Sequence, residues 1–245
     1  MIKFDVRNLS KEQRENRRRI IEVSHKLNLS HIGSCLSSID LIDAVYKVKS
    51  KDEKFVLSNG HAGIALYVIL ERNNFFKNAE IIEKLHIHPD RNPELGIDLS
   101  SGSLGQGLPI ALGMALANRK KNVYCSVSDG ECAEGSIWES LRISQEYEVS
   151  NLKILVNANG WGGYNAISFK HLYGRLKGFG CTIKKVNGHN VNQIIKALKS
   201  KAGIGPTVIF ARTEASQLPF LKGQGAHYYI MKEKDYQKAM NLFKK

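Results

Sequence analysis

Short runs rich in apolar and β-branched residues alternate along the chain with longer segments whose apolar residues have helical spacing. The short runs predict strands at 55–58, 123–128, 152–158, 181–186 and 206–212, because buried strands have this length and composition. The longer segments predict helices at 11–29, 38–48, 134–148, 169–178 and 191–200, with a further helical pattern at 232–245. We expect Ser38 to cap the second helix and Asp40 to favour its first turn. This alternation is typical of an α/β fold in which helices cover both faces of a parallel sheet.

The sequence predicts one domain over residues 1–245, because it contains no internal repeat, low-complexity tract or Pro/Ser-rich linker. Its longest apolar stretch, 108–117, is half of the roughly 20 residues that a membrane-spanning helix needs, so we expect no membrane span. The first residues lack the apolar core of a signal peptide, and the four cysteines form no CxxC pair. A reducing cytoplasm is therefore the expected location.

The chain has a net charge of +13, from 36 Lys and Arg against 23 Asp and Glu, which indicates a negatively charged partner or ligand. Such a balance suits a nucleic acid, an acidic protein surface or an anionic ligand. The basic residues lie in short clusters without interleaved aromatic residues, so the sequence offers no platform for base stacking. We therefore predict no nucleic-acid binding and favour a solvated surface or an acidic partner.

Polar residues with metal-binding chemistry follow two of the predicted strands. Asp129 and Gly130 come directly after the strand at 123–128, and Asn159 comes directly after the strand at 152–158. An open α/β sheet binds ligands at the carboxyl ends of its strands, and oxygen ligands suit Mg²⁺ held together with phosphate groups. Either turn alone is common in loops. The spacing of 30 residues (159 minus 129) favours reading both together as a metal-bridged diphosphate site.

This pair resembles the thiamine diphosphate fingerprint, in which GDG opens and Asn closes a stretch of similar length. Other segments follow in the order seen in transketolases: SHIGS at 30–34, LSNGHAGIALY at 57–67, SSGSLGQG at 100–107, SDGECAEG at 128–135 and NANG at 157–160. The sequence thus resembles the amino-terminal, diphosphate-binding part of the transketolase family over nearly its whole length. The resemblance implies the thiamine-diphosphate-binding fold, with thiamine diphosphate and Mg²⁺ (or Ca²⁺ or Mn²⁺) as cofactors.

The resemblance also implies roles for individual residues around that cofactor. Asp129 and Asn159 are the expected metal ligands through their side chains, and Trp161 through its backbone carbonyl. The loop backbone at 102–104 is expected to face the aminopyrimidine, and Glu134 to lie at a subunit interface. The implied cofactor-binding residues are His61, Gly102, Ser103, Leu104, Gly130, Glu131, Glu134 and Asn159.

Four of the eight histidines fall on positions that line the substrate channel in this family. They are His31, His61, His88 and His227, and the resemblance implies that they are catalytic, binding sugar hydroxyls and the carbonyl oxygen. A side chain that titrates near neutrality is suited to moving protons in such a reaction. We expect the other four to be ordinary hydrogen-bonded surface or capping histidines, namely His25, His86, His171 and His189.

The sequence departs from the family pattern in three respects. Ser128 replaces the first glycine of GDG. NANGWGG replaces the usual acidic-acidic-NGI, so that Trp161 stands where an aliphatic residue is common. The third departure is length, since only 33 residues (245 minus 212) follow the last predicted strand. A pyrimidine-binding domain, with the glutamate that activates the cofactor, does not fit there.

The resemblance therefore implies a split enzyme, in which a carboxy-terminal transketolase subunit supplies the pyrimidine domain in an α2β2 assembly. Its reaction would move a two-carbon ketol unit from a ketose donor to an aldehyde acceptor, with sugars or sugar phosphates as substrates. Two alternatives remain open. One is a subunit of another thiamine diphosphate enzyme, either 2-oxo acid decarboxylating or 1-deoxyxylulose 5-phosphate synthase-like, and the other is a non-catalytic assembly subunit.

Overall fold

A parallel five-stranded sheet in the order β1-β2-β3-β5-β4 forms the centre of the computed structural model, which describes residues 4–244. The strands are β1 (Lys54–Leu57), β2 (Val123–Ser128), β3 (Leu152–Ala158), β4 (Thr182–Asn187) and β5 (Thr207–Arg212). The helices are α1 (Lys11–Lys26), α2 (Ile32–Tyr46), α3 (Gly63–Arg72), α4 (Gly107–Ala117), α5 (Gly135–Glu146), α6 (Phe169–Gly178), α7 (Val191–Leu198) and α8 (Glu233–Leu242). The predicted parallel α/β architecture is confirmed.

Two hydrophobic cores lie on opposite faces of the sheet. One contains buried side chains of α1, α2, α3, α7 and α8, and the other contains those of α4, α5 and α6. Because helices cover both faces of the sheet, all six residues of β2 and all seven of β3 are buried. Strands buried on both faces have nearly continuous runs of apolar residues rather than an alternating pattern. In the described range 4–244, no helix is long and apolar enough to cross a membrane.

The second helix begins six residues earlier than the sequence predicts, at Ile32 rather than Ser38. Ser38 is fully buried inside α2 and accepts a hydrogen bond from Asn157 Nδ2 at 2.9 Å. Asp40 is likewise buried, where it forms an ion pair with Arg17. The prediction was wrong because residues 32–45 are all buried, so no polar face marks where the helix begins.

Candidate functional site

The carboxyl ends of β2 and β3 form the first part of the site. Ser128 pairs with Asn157 in the sheet register, which brings the turns that follow the two strands side by side. Asp129 joins them, because its Oδ1 accepts the N–H of Gly130 at 3.1 Å and its Oδ2 accepts the N–H of Gly160 at 2.6 Å. The structure thus brings the turn after Asp129 against the turn after Asn159.

The backbone of Trp161 reaches the same place. Asn159 Oδ1 accepts the N–H of Trp161 at 2.9 Å, and a Cβ added at Gly130 would lie 3.5 Å from the Trp161 carbonyl oxygen and 3.0 Å from Gly162 Cα. A side chain at position 130 would crowd this approach, so glycine is the residue that suits it. The three predicted metal ligands, from positions 129, 159 and 161, therefore lie together.

The electrostatics of Asp129 fit a cation at this place. The residue is 2% exposed, and burial raises the pKa of its carboxyl to about 7, while the groups that oppose this shift are backbone N–H groups rather than cations. A bound divalent cation would supply the missing positive charge. One carboxylate, one amide and one carbonyl, completed by phosphate oxygens, make a donor set of the kind Mg²⁺ takes. Within residues 4–244 no group of three or more His, Cys, Asp or Glu could hold a metal by itself.

The side chain of Glu131, one of the predicted cofactor contacts, is hydrogen-bonded within the protein. Its side chain is fully buried and accepts hydrogen bonds from the Ser58 hydroxyl, from Gly105 N at 2.8 Å and from Ser128 N at 3.3 Å. Both carboxylate oxygens are therefore engaged by the protein. Burial raises the pKa of Glu131, opposed by these donors. The structure makes its side chain a positioning group that fixes the loop at 102–105.

That loop lies against one of the predicted histidines. A Cβ added at Gly102, where φ is +146°, would come within 3.1 Å of the His88 ring, so glycine is required there for close approach and for backbone conformation. Ser103 and Leu104 are exposed. Glu134 is also exposed, and its side chain contacts the position that a Cβ on Gly105 would occupy, at 2.6 Å.

The four predicted channel histidines come together from four distant parts of the sequence. The ring centroid of His31 lies 5.5 Å from that of His61, 6.3 Å from that of His88 and 6.5 Å from that of His227. The rings of His61 and His227 are 6.2 Å apart. The exposed ring of Tyr228 adds a fifth member, 6.0 Å from His31. Sequence reasoning missed Tyr228, whose only signal was its place beside His227.

A backbone hydrogen bond joins two of these histidines. His31 precedes α2 in the left-handed region, at φ +61° and ψ +20°, an uncommon conformation for a residue with a side chain. Its N–H donates to the carbonyl oxygen of His227 at 2.8 Å. The Nδ1 atoms of His31 and His227 are buried and make no hydrogen bond to the described chain, so they are free for a ligand.

Burial favours the uncharged form of three of these rings. Desolvation lowers the pKa of His31 to about 4 and that of His61 to about 3, and the neighbouring histidines lower both further. Desolvation also lowers the pKa of His227. At neutral pH each of these rings therefore offers one N–H donor and one acceptor nitrogen. That combination can bind a hydroxyl or a carbonyl oxygen and hold a proton.

Cavities flank the molecule at two places. One, of about 690 Å³, is lined by His88 with Asp90 and residues 83–87. Another, of about 780 Å³, lies between the amino-terminal segment and α7 and is lined by none of the predicted site residues. The cavity lined by His88 thus adjoins one member of the histidine cluster.

Comparison with known proteins places this geometry in a family. Residues 20–238 match the family model described as "Transketolase, thiamine diphosphate binding domain". The chain is 32% identical over 224 residues to the transketolase of Pongo abelii, covering 81% of this chain and 36% of that protein. It is 29% identical over 221 residues to one of the subunits of the apulose-4-phosphate transketolase of Phocaeicola vulgatus, covering 80% of this chain and 78% of that relative.

A solved structure agrees with these sequence matches. The crystal structure of transketolase from Campylobacter jejuni has a TM-score of 0.79 at 25% identity, covering 96% of this chain and 42% of that one. The chain spans less than half the length of these full transketolases. The family resemblance read from the sequence is confirmed, and the chain belongs to the transketolase family through the thiamine diphosphate binding domain.

Proposed function

We propose that this chain is the diphosphate- and metal-binding subunit of a split transketolase, which transfers a two-carbon ketol unit from a ketose to an aldehyde. The observation that carries the proposal is the convergence of His31, His61, His88 and His227 at the same sheet edge as the turns of Asp129 and Asn159. Carbonyl chemistry on a sugar needs both a cofactor site and neutral hydrogen-bonding groups above it.

The residues at the carboxyl edge fit thiamine diphosphate with a divalent metal. Asp129, Asn159 and the Trp161 carbonyl would hold Mg²⁺, and the Gly130 N–H would meet the diphosphate, at a place where a Cβ would be crowded by Gly162. The loop backbone at 102–104 would face the ring system of the cofactor. When bound, thiamine diphosphate supplies the nucleophilic carbon that carries the two-carbon unit.

The histidines would act on the sugar. Buried Nδ1 atoms without partners on His31 and His227 would bind substrate hydroxyls or the carbonyl oxygen, since a buried polar atom gains most when a ligand pairs with it. Neutral His61, whose ring lies beside those of His31 and His227, would hold or release a proton as the carbonyl oxygen changes charge. Glu131 and Ser58 would keep the loop at 102–105 against the histidines.

A second chain would complete the enzyme. The similarity to a relative that is itself named as one subunit of a transketolase, over 78% of its length, supports a partner that carries the pyrimidine domain. We place the two chains in an α2β2 assembly acting on sugars or sugar phosphates, with exposed Glu134 at the interface. The cysteines of the described chain are all free and buried, which supports a cytoplasmic location.

Calorimetric titration with thiamine diphosphate and Mg²⁺ tests the site, using the chain alone and with the candidate partner. We expect binding that requires the metal, tightens with the partner and is lost in Asp129→Asn. Asp52→Asn is the matched control, because Asp52 is an exposed carboxylate paired with Lys121. A ketol-transfer assay of the complex follows. Full turnover by the chain alone contradicts the split enzyme, and carbon dioxide release from a 2-oxo acid instead of ketol transfer supports the decarboxylating alternative.

A further inference from the structure

One segment joins the two halves of the site, and sequence reasoning used only one of its residues. This bridging segment, residues 222–229, includes a 3-10 helix over Gly223–His227. It lies between the start of α2 and the turn that follows β3. We call that turn, residues 159–166, the metal turn, because it carries two of the proposed metal ligands.

On one side the bridging segment docks on α2. The carbonyl oxygen of His227 accepts the N–H of His31 at 2.8 Å. A Cβ added at Gly33 would lie 3.0 Å from Ala226 Cβ and 3.2 Å from the Ala226 carbonyl oxygen. These contacts hold the backbone of residues 226 and 227 against the start of α2.

On the other side the bridging segment docks on the metal turn. Gln224 Nε2 donates to the carbonyl oxygen of Gly163 at 2.5 Å, and the Tyr228 hydroxyl lies 3.5 Å from the same oxygen. The Trp161 indole covers Gly223, where an added Cβ would be 3.1 Å from the ring. The amide of Gln224 is the shortest polar link between the two segments.

Gln224 also precedes His227 by three residues, which is one turn of a 3-10 helix. Residues i and i+3 of such a helix lie on the same face, so an anchor at 224 sets the direction in which residue 227 projects. The anchored side chain of Gln224 therefore acts on the placement of His227 through the turn of helix that joins them.

We propose that Gln224 is a positioning residue, which holds His227 over the site by anchoring the bridging segment to the Gly163 carbonyl of the metal turn. This inference rests on the proposed function, because Gln224 can position a substrate-binding residue only if His227 binds the substrate. It adds a residue whose side chain donates to the protein backbone and links the metal turn to the segment that carries His227.

Amide hydrogen exchange of the purified chain tests the anchor without any assay of activity. Gln224→Met keeps the side-chain length and removes the donor. Gln237→Met is the matched control, because Gln237 Nε2 bonds Glu233 on the surface of α8. We expect exchange in residues 222–229, and trypsin cleavage after exposed Lys222, to become about tenfold faster in Gln224→Met alone, the range expected for one hydrogen bond. An unchanged rate with an unchanged melting temperature overturns the anchor.

Steady-state kinetics of the complex with its partner test the role of the anchor. We expect Gln224→Met to reduce kcat/KM for the donor about tenfold, the loss of one hydrogen bond, at an unchanged Kd for thiamine diphosphate. In a His227→Ala background the same change should have no further effect, because the two residues act as one unit. Additive losses overturn the positioning role. If the parent complex transfers no ketol unit, the proposed function fails, and hydrogen exchange still decides whether Gln224 anchors the segment.

Discussion

Two histidine-containing clusters of this protein have opposite hydrogen-bonding states. In the inner cluster, His189 Nδ1 lies 2.9 Å from Asp40 Oδ2, and His189 Nε2 accepts the N–H of Glu214 at 2.9 Å. Asp40 also accepts two hydrogen bonds from Arg17, at 3.0 and 2.5 Å. In the channel cluster around His31, by contrast, buried nitrogen atoms lack partners.

The difference shows which cluster serves the fold and which serves a ligand. Burial alone would raise the pKa of Asp40, but Arg17 and His189 hold it well below its usual range, so the inner cluster is a satisfied ion pair that joins α1 and α2. In the channel cluster burial lowers the pKa of His31 and of His61, and buried ring nitrogens of His31 and His227 lack partners. Buried polar groups left without partners cost free energy, and a site that binds a polar ligand recovers that cost.

The largest effect is expected when Arg17 is removed from the inner cluster. Arg17→Met leaves the Asp40 carboxylate buried without its main cation, and we expect a loss of about 3–5 kcal/mol in the free energy of unfolding. Urea denaturation followed by circular dichroism measures it. Arg18→Met, at the next position of α1, is the control, with an expected change below about 0.5 kcal/mol. A loss below about 1 kcal/mol for Arg17→Met, the range of exposed ion pairs, would mean that the inner cluster is not structural.

The converse effect is expected for His31. His31→Asn preserves the left-handed backbone, which Asn tolerates, and removes the imidazole. We expect turnover of the complex to fall about a hundredfold while the free energy of unfolding changes by less than about 1 kcal/mol. His171→Ala, at an exposed position of α6, should leave both unchanged. Stability lost in step with turnover would place His31 with the structural group.

The lowered pKa of His31 makes the free energy of unfolding depend on pH in a way that distinguishes the two clusters. His31 has a folded pKa of about 4 against 6.5 for an unperturbed histidine, so the unfolded chain binds more protons below pH 6.5. The contribution of neutral His31 to the free energy of unfolding is therefore lost as the pH falls from about 6.5 towards 4. We expect the parent to lose about 1–2 kcal/mol more than His31→Asn between pH 7 and pH 5, since partial exposure of the ring screens some of the shift. Urea denaturation at both values tests this, and parallel pH profiles contradict it.

A further effect is expected from the hydrogen bonds between α2 and the end of β3. Thr213 Oγ1 donates to Asn157 Oδ1 at 2.5 Å, and Asn157 Nδ2 donates to Ser37 Oγ at 2.9 Å, so this chain of hydrogen bonds ties α2 to β3. Thr213→Val keeps the shape and leaves Asn157 Oδ1 unpaired, which should cost about 1–2 kcal/mol in unfolding free energy. Thr182→Val, on the edge strand β4, is the control. Equal melting temperatures for the two variants would show that this link is dispensable.

Several elements could be read from the sequence because their signal is local. The five strands lie within one or two residues of their predicted positions, and the spacing of Asp129 and Asn159 predicted two turns that do meet. The predicted start of α2 failed because a helix buried on all sides has no polar face. For the same reason α3 and α4 were not predicted, since residues 63–70 are all buried and α4 has no charged residue.

The sequence by itself determined the parallel α/β sheet, the diphosphate turns and, through the family resemblance, which four histidines belong together. Only the tertiary structure decided which hydrogen-bond partners each side chain has. It showed that Glu131 accepts a hydrogen bond from the loop at Gly105, that His189 hydrogen-bonds Asp40 beside the Arg17 ion pair, and that Gln224 donates to the metal turn. The physical reason is that periodicity and motif spacing encode local backbone and burial. Partners at sequence separations such as 176 residues (189 minus 13), as for Gln13 and His189, exist only once both cores have closed on the sheet.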